Sequence, residues 1–260
     1  MPAHYSAILP TTPCHPELPL ALDRTAYDAL SFDCYGTLID WEAGIAAVLG
    51  PWARRHDPAV TDEQVLVAYA DNEAAVEREA PSTPYPEVLR EAFRRTGRDL
   101  GIEVTRADAD ALGTSVPAWP AFPDSAEALA RLKRHYRLII LSNVDREGFA
   151  GSNRRLEVDF DEILTAQDIG SYKPSPANFE ALLRRVDEIG STGRLLHVAQ
   201  SLFHDHVPAK AAGLPGVWIN RRHAQPGWGA TPDPRTAVTP DLEFPSMAAF
   251  ADAVAAAFSG

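Results

Sequence analysis

The sequence predicts an α/β protein with a doubly wound, mainly parallel sheet and an inserted helical cap domain. Apolar runs of strand length occur at 27–33, 137–143, 194–200 and 216–220, and helical patterns lie between them. Residues 42–118 instead contain helical patterns with no convincing strand among them. Strands that alternate with helices favour a parallel sheet, and a block of helices after the first strand indicates a cap over that sheet.

Two helices of the predicted core have recognisable sequence signals. Residues 124–136 begin with Asp124 as a plausible N-cap and have Glu127 three positions later, which is the spacing of a capping box. Residues 175–190 place apolar side chains at helical spacing. A polar segment rich in proline and glycine, 221–240, is predicted to be a loop before the last strand and helix.

These patterns divide the chain into three parts. Residues 1–24 form a proline-rich leader, 25–41 and 119–260 form the core domain, and 42–118 form the cap. The leader has no apolar run long enough for a signal peptide or a membrane span, so the expected location is the cytoplasm.

Composition excludes some classes of partner. Lys and Arg number 24 against 36 Asp and Glu, a formal net charge of −12. Nucleic acid and anionic membranes are therefore poor partners, because their phosphates need neutralising cations, whereas a small anionic substrate needs only a local positive pocket. The two cysteines, Cys14 and Cys34, suggest neither a disulfide framework nor a zinc site. Strand alternation turns Cys34 away from the face of its neighbour Asp33, into the core.

Polar side chains follow several of the predicted strands. They are Asp33, the pair Ser142 and Asn143, Lys173 in "SYKPSP" and Asp205 in "VAQSLFHDHVPAK". Ligands of open parallel sheets bind at the carboxyl ends of the strands, so these groups are expected to converge. A carboxylate beside an ammonium group is held ionised and can act as a nucleophile in a dry cavity.

The motifs "FDCYGTL", "LSN" and "YKPSP", followed by the acidic fourth segment, resemble the haloacid dehalogenase superfamily of hydrolases. The resemblance covers the chain from about residue 25 and implies a Rossmann-like core with a helical cap. It implies that Asp33 is a nucleophile that forms an aspartyl ester, and that Lys173 steadies the carboxylates. It further implies that Ser142 and Asn143 hold an anionic group of the substrate, and that Asp205 orients Lys173 and the hydrolytic water.

Tyr35 bears on the leaving group. In phosphatases of the superfamily that this sequence resembles, the motif reads D-x-D, and its second Asp protonates the leaving alkoxide. Here Tyr35 occupies the position of that second Asp. Halide leaves without a proton, so D-x-Y favours displacement at carbon, as in the L-2-haloacid dehalogenase branch. Tyr35 also replaces an oxygen ligand suited to Mg²⁺, so no metal or other cofactor is expected unless the protein is a phosphatase. Backbone N–H groups from Tyr35 through Gly36 to Thr37 are candidates to stabilise the oxyanion.

Departures from the dehalogenase pattern leave the substrate open. The first long cap helix has Tyr69 and Asn72 but no Arg until Arg78, where dehalogenases place an Arg that holds halide and carboxylate. His204 and His206 flank Asp205, and a histidine is a candidate general acid or base near neutral pH. Opening of a strained ring, such as an epoxide or an azetidine carboxylate, is therefore the alternative to dehalogenation.

The remaining expectations concern the pocket and the partners. Trp41 and Tyr69 are candidates to line the pocket, although aromatic side chains more often pack a cap against its core. The substrate is expected to be small and to carry a carboxylate, and a homodimer is compatible with the resemblance. A phosphatase and a non-catalytic family member are further alternatives. No G-x-G-x-x-G, Walker or G-x-S-x-G motif is present in the sequence.

Overall fold

The computed structural model describes residues 26–191, 194–223, 231–234 and 236–259. Within them six parallel strands form one sheet in the order β3-β2-β1-β4-β5-β6. The strands are β1 (Ala29–Phe32), β2 (Arg137–Ser142), β3 (Glu162–Thr165), β4 (Leu195–Ala199), β5 (Gly216–Ile219) and β6 (Leu242–Phe244). The predicted fold class, a doubly wound parallel sheet with helices on its faces and a helical cap, is confirmed.

The centre of the sheet brings the motif-bearing strands together. β1 pairs with β2 on one side and with β4 on the other, both in parallel. All six strands run in one direction, so the residues that follow β1, β2 and β4 meet at one edge. Strand β3 was missed by sequence analysis because it is a short edge strand without an apolar run; Ile163 is 42% exposed.

Ten α-helices occur within the described ranges. They are α1 (Trp41–His56), α2 (Asp62–Glu79), α3 (Tyr85–Leu100), α4 (Arg106–Gly113), α5 (Ser125–Leu132), α6 (Arg146–Leu156), α7 (Ala166–Ile169), α8 (Pro176–Glu188), α9 (Val207–Ala211) and α10 (Met247–Ser259). Four of them, α1 to α4, follow β1 before the chain returns to the sheet, in the region predicted as the cap. The exact domain boundaries at 41/42 and 118/119 stay a prediction.

The expected cap of α5 was wrong in detail. Asp124 precedes the helix, but its carboxylate makes no capping hydrogen bond. Instead it forms an ion pair of 3.1 Å with Arg221 and accepts a hydrogen bond from the Ala248 backbone N–H. A charged partner binds a carboxylate more strongly than a neutral amide, so Asp124 instead joins the start of α5 to the segment after β5 and to the first turn of α10.

Some expectations concern residues that the structure does not describe. The leader 1–24 with Cys14, and residues 224–230 and 235 of the predicted loop, lie outside the described residues. Cys34 is fully buried, as expected from strand alternation. Across the described ranges, no helix is both long enough and apolar enough to span a bilayer.

Candidate active site

Lys173 lies at the centre of a buried charge cluster at the carboxyl edge of the sheet. Its Nζ donates hydrogen bonds to Asp33 Oδ1 at 2.9 Å, to Asp205 Oδ1 at 2.7 Å and to the Leu141 carbonyl at 2.9 Å. An ammonium group has three N–H donors, so these acceptors occupy all of them. Burial opposes the charge of Lys173, but the two carboxylates outweigh it and raise the pKa of Lys173 above its ordinary value.

Asp33 follows β1 directly and is 5% exposed. Burial raises the pKa of Asp33 above its ordinary value, although the Lys173 ammonium and a hydrogen bond from Thr37 both favour the ionised form. Lys173 lowers this pKa, as expected from the sequence, but desolvation is the larger effect and sets the net direction. A carboxylate that has lost its hydration shell is a stronger nucleophile than a solvated one.

The turn after β1 holds Asp33 in place. The Thr37 hydroxyl donates to Asp33 Oδ2 at 2.7 Å and accepts a hydrogen bond from the Gln200 backbone N–H at 2.9 Å. Gly36 has a φ of +91°, and a Cβ there would lie 3.1 Å from Gln200 Oε1, so only glycine suits the position. The Gly36 N–H bonds to the Ile39 carbonyl, which removes it from the expected set of oxyanion donors.

A buried histidine that sequence analysis missed supports Asp205. His197 lies inside β4 and is fully buried; its Nε2 is 3.0 Å from Asp205 Oδ1 and its Nδ1 is 2.9 Å from Ser31 Oγ. Burial disfavours a charge on Asp205, but Lys173 and His197 together hold the pKa of Asp205 below its ordinary value. The ionised carboxylate can only accept, so the hydrogen bond is donated by a protonated Nε2 of His197. The available signal was a histidine on a central strand that ends near an acidic motif.

Replacing His197 with Leu is expected to lower the free energy of unfolding by about 1–3 kcal/mol, because Ser31 and Asp205 each lose a buried hydrogen-bond partner. Urea unfolding followed by circular dichroism measures this change. His223, which is exposed, provides the control: His223→Leu is expected to change the free energy by less than about 0.5 kcal/mol. Equal effects of the two substitutions would contradict the role given to His197.

The two histidines beside Asp205 point in different directions. His204 lines the cavity next to Asp33, and its Nδ1 lies 3.2 Å from Ser201 Oγ. His206 is buried elsewhere, with Nε2 at 3.0 Å from the Ala199 carbonyl. Burial lowers the pKa of each imidazole to about 4. Neither histidine is therefore protonated at neutral pH, which weakens the expected role of His204 as a general acid.

Tyr35 and Trp41 both line the cavity that contains Asp33. The Tyr35 hydroxyl is 3.0 Å from Ser152 Oγ on α6, and its ring packs edge-on against Trp119. Burial raises the pKa of Tyr35 well above its ordinary value, so the phenol stays neutral. The hydroxyl is thus engaged with Ser152 of α6.

Ser142 and Asn143, which were predicted to hold an anionic group of the substrate, take different positions relative to the cavity. Ser142 is 2% exposed and is absent from the described wall of the cavity. Asn143 lines the cavity, but its Oδ1 accepts from the Lys173 backbone N–H at 2.7 Å and its Nδ2 donates to the Lys173 carbonyl at 3.0 Å. Asn143 therefore fastens the Lys173 backbone, because both ends of its amide are engaged by that residue.

The cavity above Asp33 has a volume of about 60 Å³, and two cap residues that sequence analysis missed complete it. Glu73 and Glu77 of α2 line its wall, one helical turn apart. Tyr69, predicted to line the pocket, lies behind the wall instead and donates from its hydroxyl to Glu73 Oε1 at 3.1 Å. Residues 69, 73 and 77 share one face of α2, and this i, i+4 spacing was the signal available in the sequence.

That no magnesium ion is required stays a prediction, which rests on Tyr35 in place of a second aspartate. The carboxylates of Asp33 and Asp205 are bridged by the Lys173 ammonium, and Tyr35 replaces the second carboxylate of the D-x-D motif. Within the described ranges there is no group of three or more His, Cys, Asp or Glu side chains arranged to hold a metal ion.

Comparison with known proteins agrees with the fold and with the motif order. The profile of the haloacid dehalogenase-like hydrolase family matches residues 27–212. The L-2-haloacid dehalogenase RSc1362 superposes with a TM-score of 0.72 at 24% identity, covering 89% of this chain and 100% of that one. The L-2-haloacid dehalogenase of Xanthobacter autotrophicus, solved with chloropropionic acid covalently bound, superposes with a TM-score of 0.70 at 19% identity. This match covers 88% of this chain and 98% of that one. Curated protein sequences give no match.

The fold and the matched profile define the class of this protein as a hydrolase. The chain belongs to the haloacid dehalogenase-like hydrolase family.

Proposed function

We propose that this protein is a hydrolase that displaces a leaving group from a saturated carbon through a covalent ester on Asp33, with halide as the favoured leaving group. The observation that carries the proposal is the Asp33 carboxylate on the cavity wall, bonded to Lys173 and Thr37. The Tyr35 hydroxyl, which is engaged by Ser152, supports a leaving group that needs no proton. The dehalogenase names of the structural neighbours agree with this choice.

The reaction has two steps. One oxygen of Asp33 attacks the carbon, a carbon–oxygen bond forms, and halide leaves with the electron pair of the carbon–halogen bond. Water then attacks the ester carbonyl, and the bond between that carbonyl and the oxygen attached to the substrate carbon breaks. The products are the alcohol, halide and one proton, and the carboxylate of Asp33 is restored. Asp205, which also lines the cavity, is the candidate acceptor that orients the attacking water.

Ring opening is the second candidate, and one observation favours it. A ring oxygen or nitrogen needs a proton as it leaves. Burial raises the pKa of Glu73 to about 7 and that of Glu77 well above its ordinary value, and both carboxyls line the same cavity as Asp33, so they are the candidate proton donors. Halide release from chloroacetate, bromoacetate or 2-chloropropionate supports dehalogenation. Turnover of epoxysuccinate or azetidine-2-carboxylate without activity on haloacids supports ring opening.

Isotope labelling tests the ester directly. In ¹⁸O water, with enzyme in excess over substrate, the first turnover is expected to place ¹⁸O in the Asp33 side chain, because water attacks the carbonyl of the ester. Mass spectrometry of the peptide that contains Asp33 measures the label, and the product of that turnover carries oxygen of ordinary mass. Label found only in the product would mean that water attacks the substrate directly, and it would overturn the proposal.

A further inference from the structure

Two carboxyl groups of the cap helix α2 face the nucleophile across the cavity. Glu73 is held by the hydroxyls of Tyr69 and Tyr85, which donate to its Oε1 at 3.1 and 2.9 Å. Glu77 is 6% exposed, and its described contact is a long one, 3.3 Å from Asn143 Nδ2. Both line the cavity with Asp33. They lie on the cap helix in which this sequence lacks the arginine implied by the resemblance to dehalogenases.

The charge balance of this cavity disfavours an anionic substrate. Asp33, Asp205, Glu73 and Glu77 line its wall, against Lys173 as the one Lys or Arg side chain among the described lining residues. The ammonium of Lys173 is already shared between the two aspartates and a backbone carbonyl. A substrate carboxylate would therefore approach several acids and find no cation with a free N–H.

Two further observations concern acidic groups of this wall that the described residues do not fully compensate. Asp205 is fully buried and its Oδ1 is paired with Lys173, but its Oδ2 has no hydrogen-bond partner among the described residues. Burial raises the pKa of Glu73 to about 7, and burial together with the charge of Glu73 raises that of Glu77 well above its ordinary value. A buried carboxyl without a cation is stabilised by taking up a proton. A bound cation would remove this penalty.

We propose that the site accepts a small substrate that carries an ammonium group, held by Glu73 and Glu77 beside the carbon that Asp33 attacks. This inference rests on the proposed function for the reaction, but it concerns only which charge the substrate bears. Charge-assisted hydrogen bonds from an ammonium to two carboxylates are among the stronger contacts in proteins. A volume of about 60 Å³ admits only a few heavy atoms, since one water needs about 10–15 Å³.

Binding of matched small ligands tests the charge preference without any turnover. Ethylammonium, ethanol and acetate are similar in size and differ in charge. By calorimetry with the wild-type protein at mildly alkaline pH, ethylammonium is expected to bind at least roughly tenfold more tightly than acetate or ethanol. Glu73→Gln and Glu77→Gln are each expected to weaken ethylammonium roughly tenfold. Asp71→Asn removes an exposed carboxylate of the same helix and is expected to change nothing.

The outcomes separate this inference from the proposed function. Tighter binding of acetate or ethanol, or equal loss of affinity in Asp71→Asn and the two glutamate variants, would overturn the ammonium site. Thermal unfolding of each variant shows whether it is folded, and the glutamine side chains keep the shape of the protonated acids. Halide release from 2-bromoethylammonium and from bromoacetate, with Asp33→Asn as the blank, is then compared. Faster release from 2-bromoethylammonium is expected; binding of ethylammonium without halide release from either compound would contradict dehalogenation alone.

Discussion

Replacing Asp33 with Asn is expected to reduce kcat/KM by roughly 10⁴-fold or more, because a neutral amide cannot act as the nucleophile that forms the ester. The fold should persist, since the amide oxygen can still accept the Thr37 hydrogen bond that Asp33 accepts now. Halide release or ring opening, whichever the wild-type protein catalyses, measures the loss.

A carboxylate remote from the cavity provides the matched control. Asp252 on α10 is 70% exposed and pairs with Arg131, so Asp252→Asn is expected to leave kcat/KM unchanged. Activity of Asp33→Asn within tenfold of the wild type, with deamidation ruled out by mass spectrometry, would exclude Asp33 as the nucleophile.

Replacing Lys173 with Met is expected to lower the free energy of unfolding by about 3–5 kcal/mol at neutral pH. The side chains of Lys173, Asp33 and Asp205 are 2%, 8% and 1% exposed, so removing the ammonium leaves two buried carboxyls without their cation. The same change is expected to reduce activity, because Asp33 would then take up a proton to avoid a buried, uncompensated charge. Urea unfolding and the activity assay measure the two effects.

Lys210 offers the comparison for this prediction. Its side chain is 56% exposed, and its Nζ lies 3.4 Å from Asp241. Lys210→Met is expected to cost less than about 1 kcal/mol, since exposed ion pairs contribute little. If the two methionine variants lowered the free energy of unfolding by similar amounts, the buried Lys173 ammonium would not stabilise the fold more than an exposed lysine does.

The core of the fold was predictable because its signals are local. Apolar runs of strand length mark β1, β2 and β4, and a polar residue follows each run at a point where a parallel sheet presents its carboxyl edge. The approach of Asp33 and Asp205 follows from that order of strands, whereas Lys173 comes after β3 and was placed by its motif. Strand β3 escaped prediction because an exposed edge strand of four residues lacks the apolar run that marks a central strand.

The cavity wall was less predictable because its signals depend on packing. His197 reads as one more residue of an apolar strand, and only the tertiary structure brings its ring to Asp205. Ser142 and Asn143 read as a polar pair at a strand end, yet Ser142 lies off the wall and Asn143 is occupied by the backbone of Lys173. A motif specifies which side chains are present, but not which of their hydrogen-bonding atoms remain free.

The amino-acid sequence by itself determined the fold class and the family, since both follow from the order of strands, helices and short motifs along the chain. Only the tertiary structure decided the electrostatic character of the cavity. Glu73 and Glu77 are ordinary residues of a polar helix until folding places α2 at the cavity that contains Asp33. The reason is physical: the charge that a substrate meets is set by side chains distant in the sequence, whose pKa values depend on burial that only the folded chain creates.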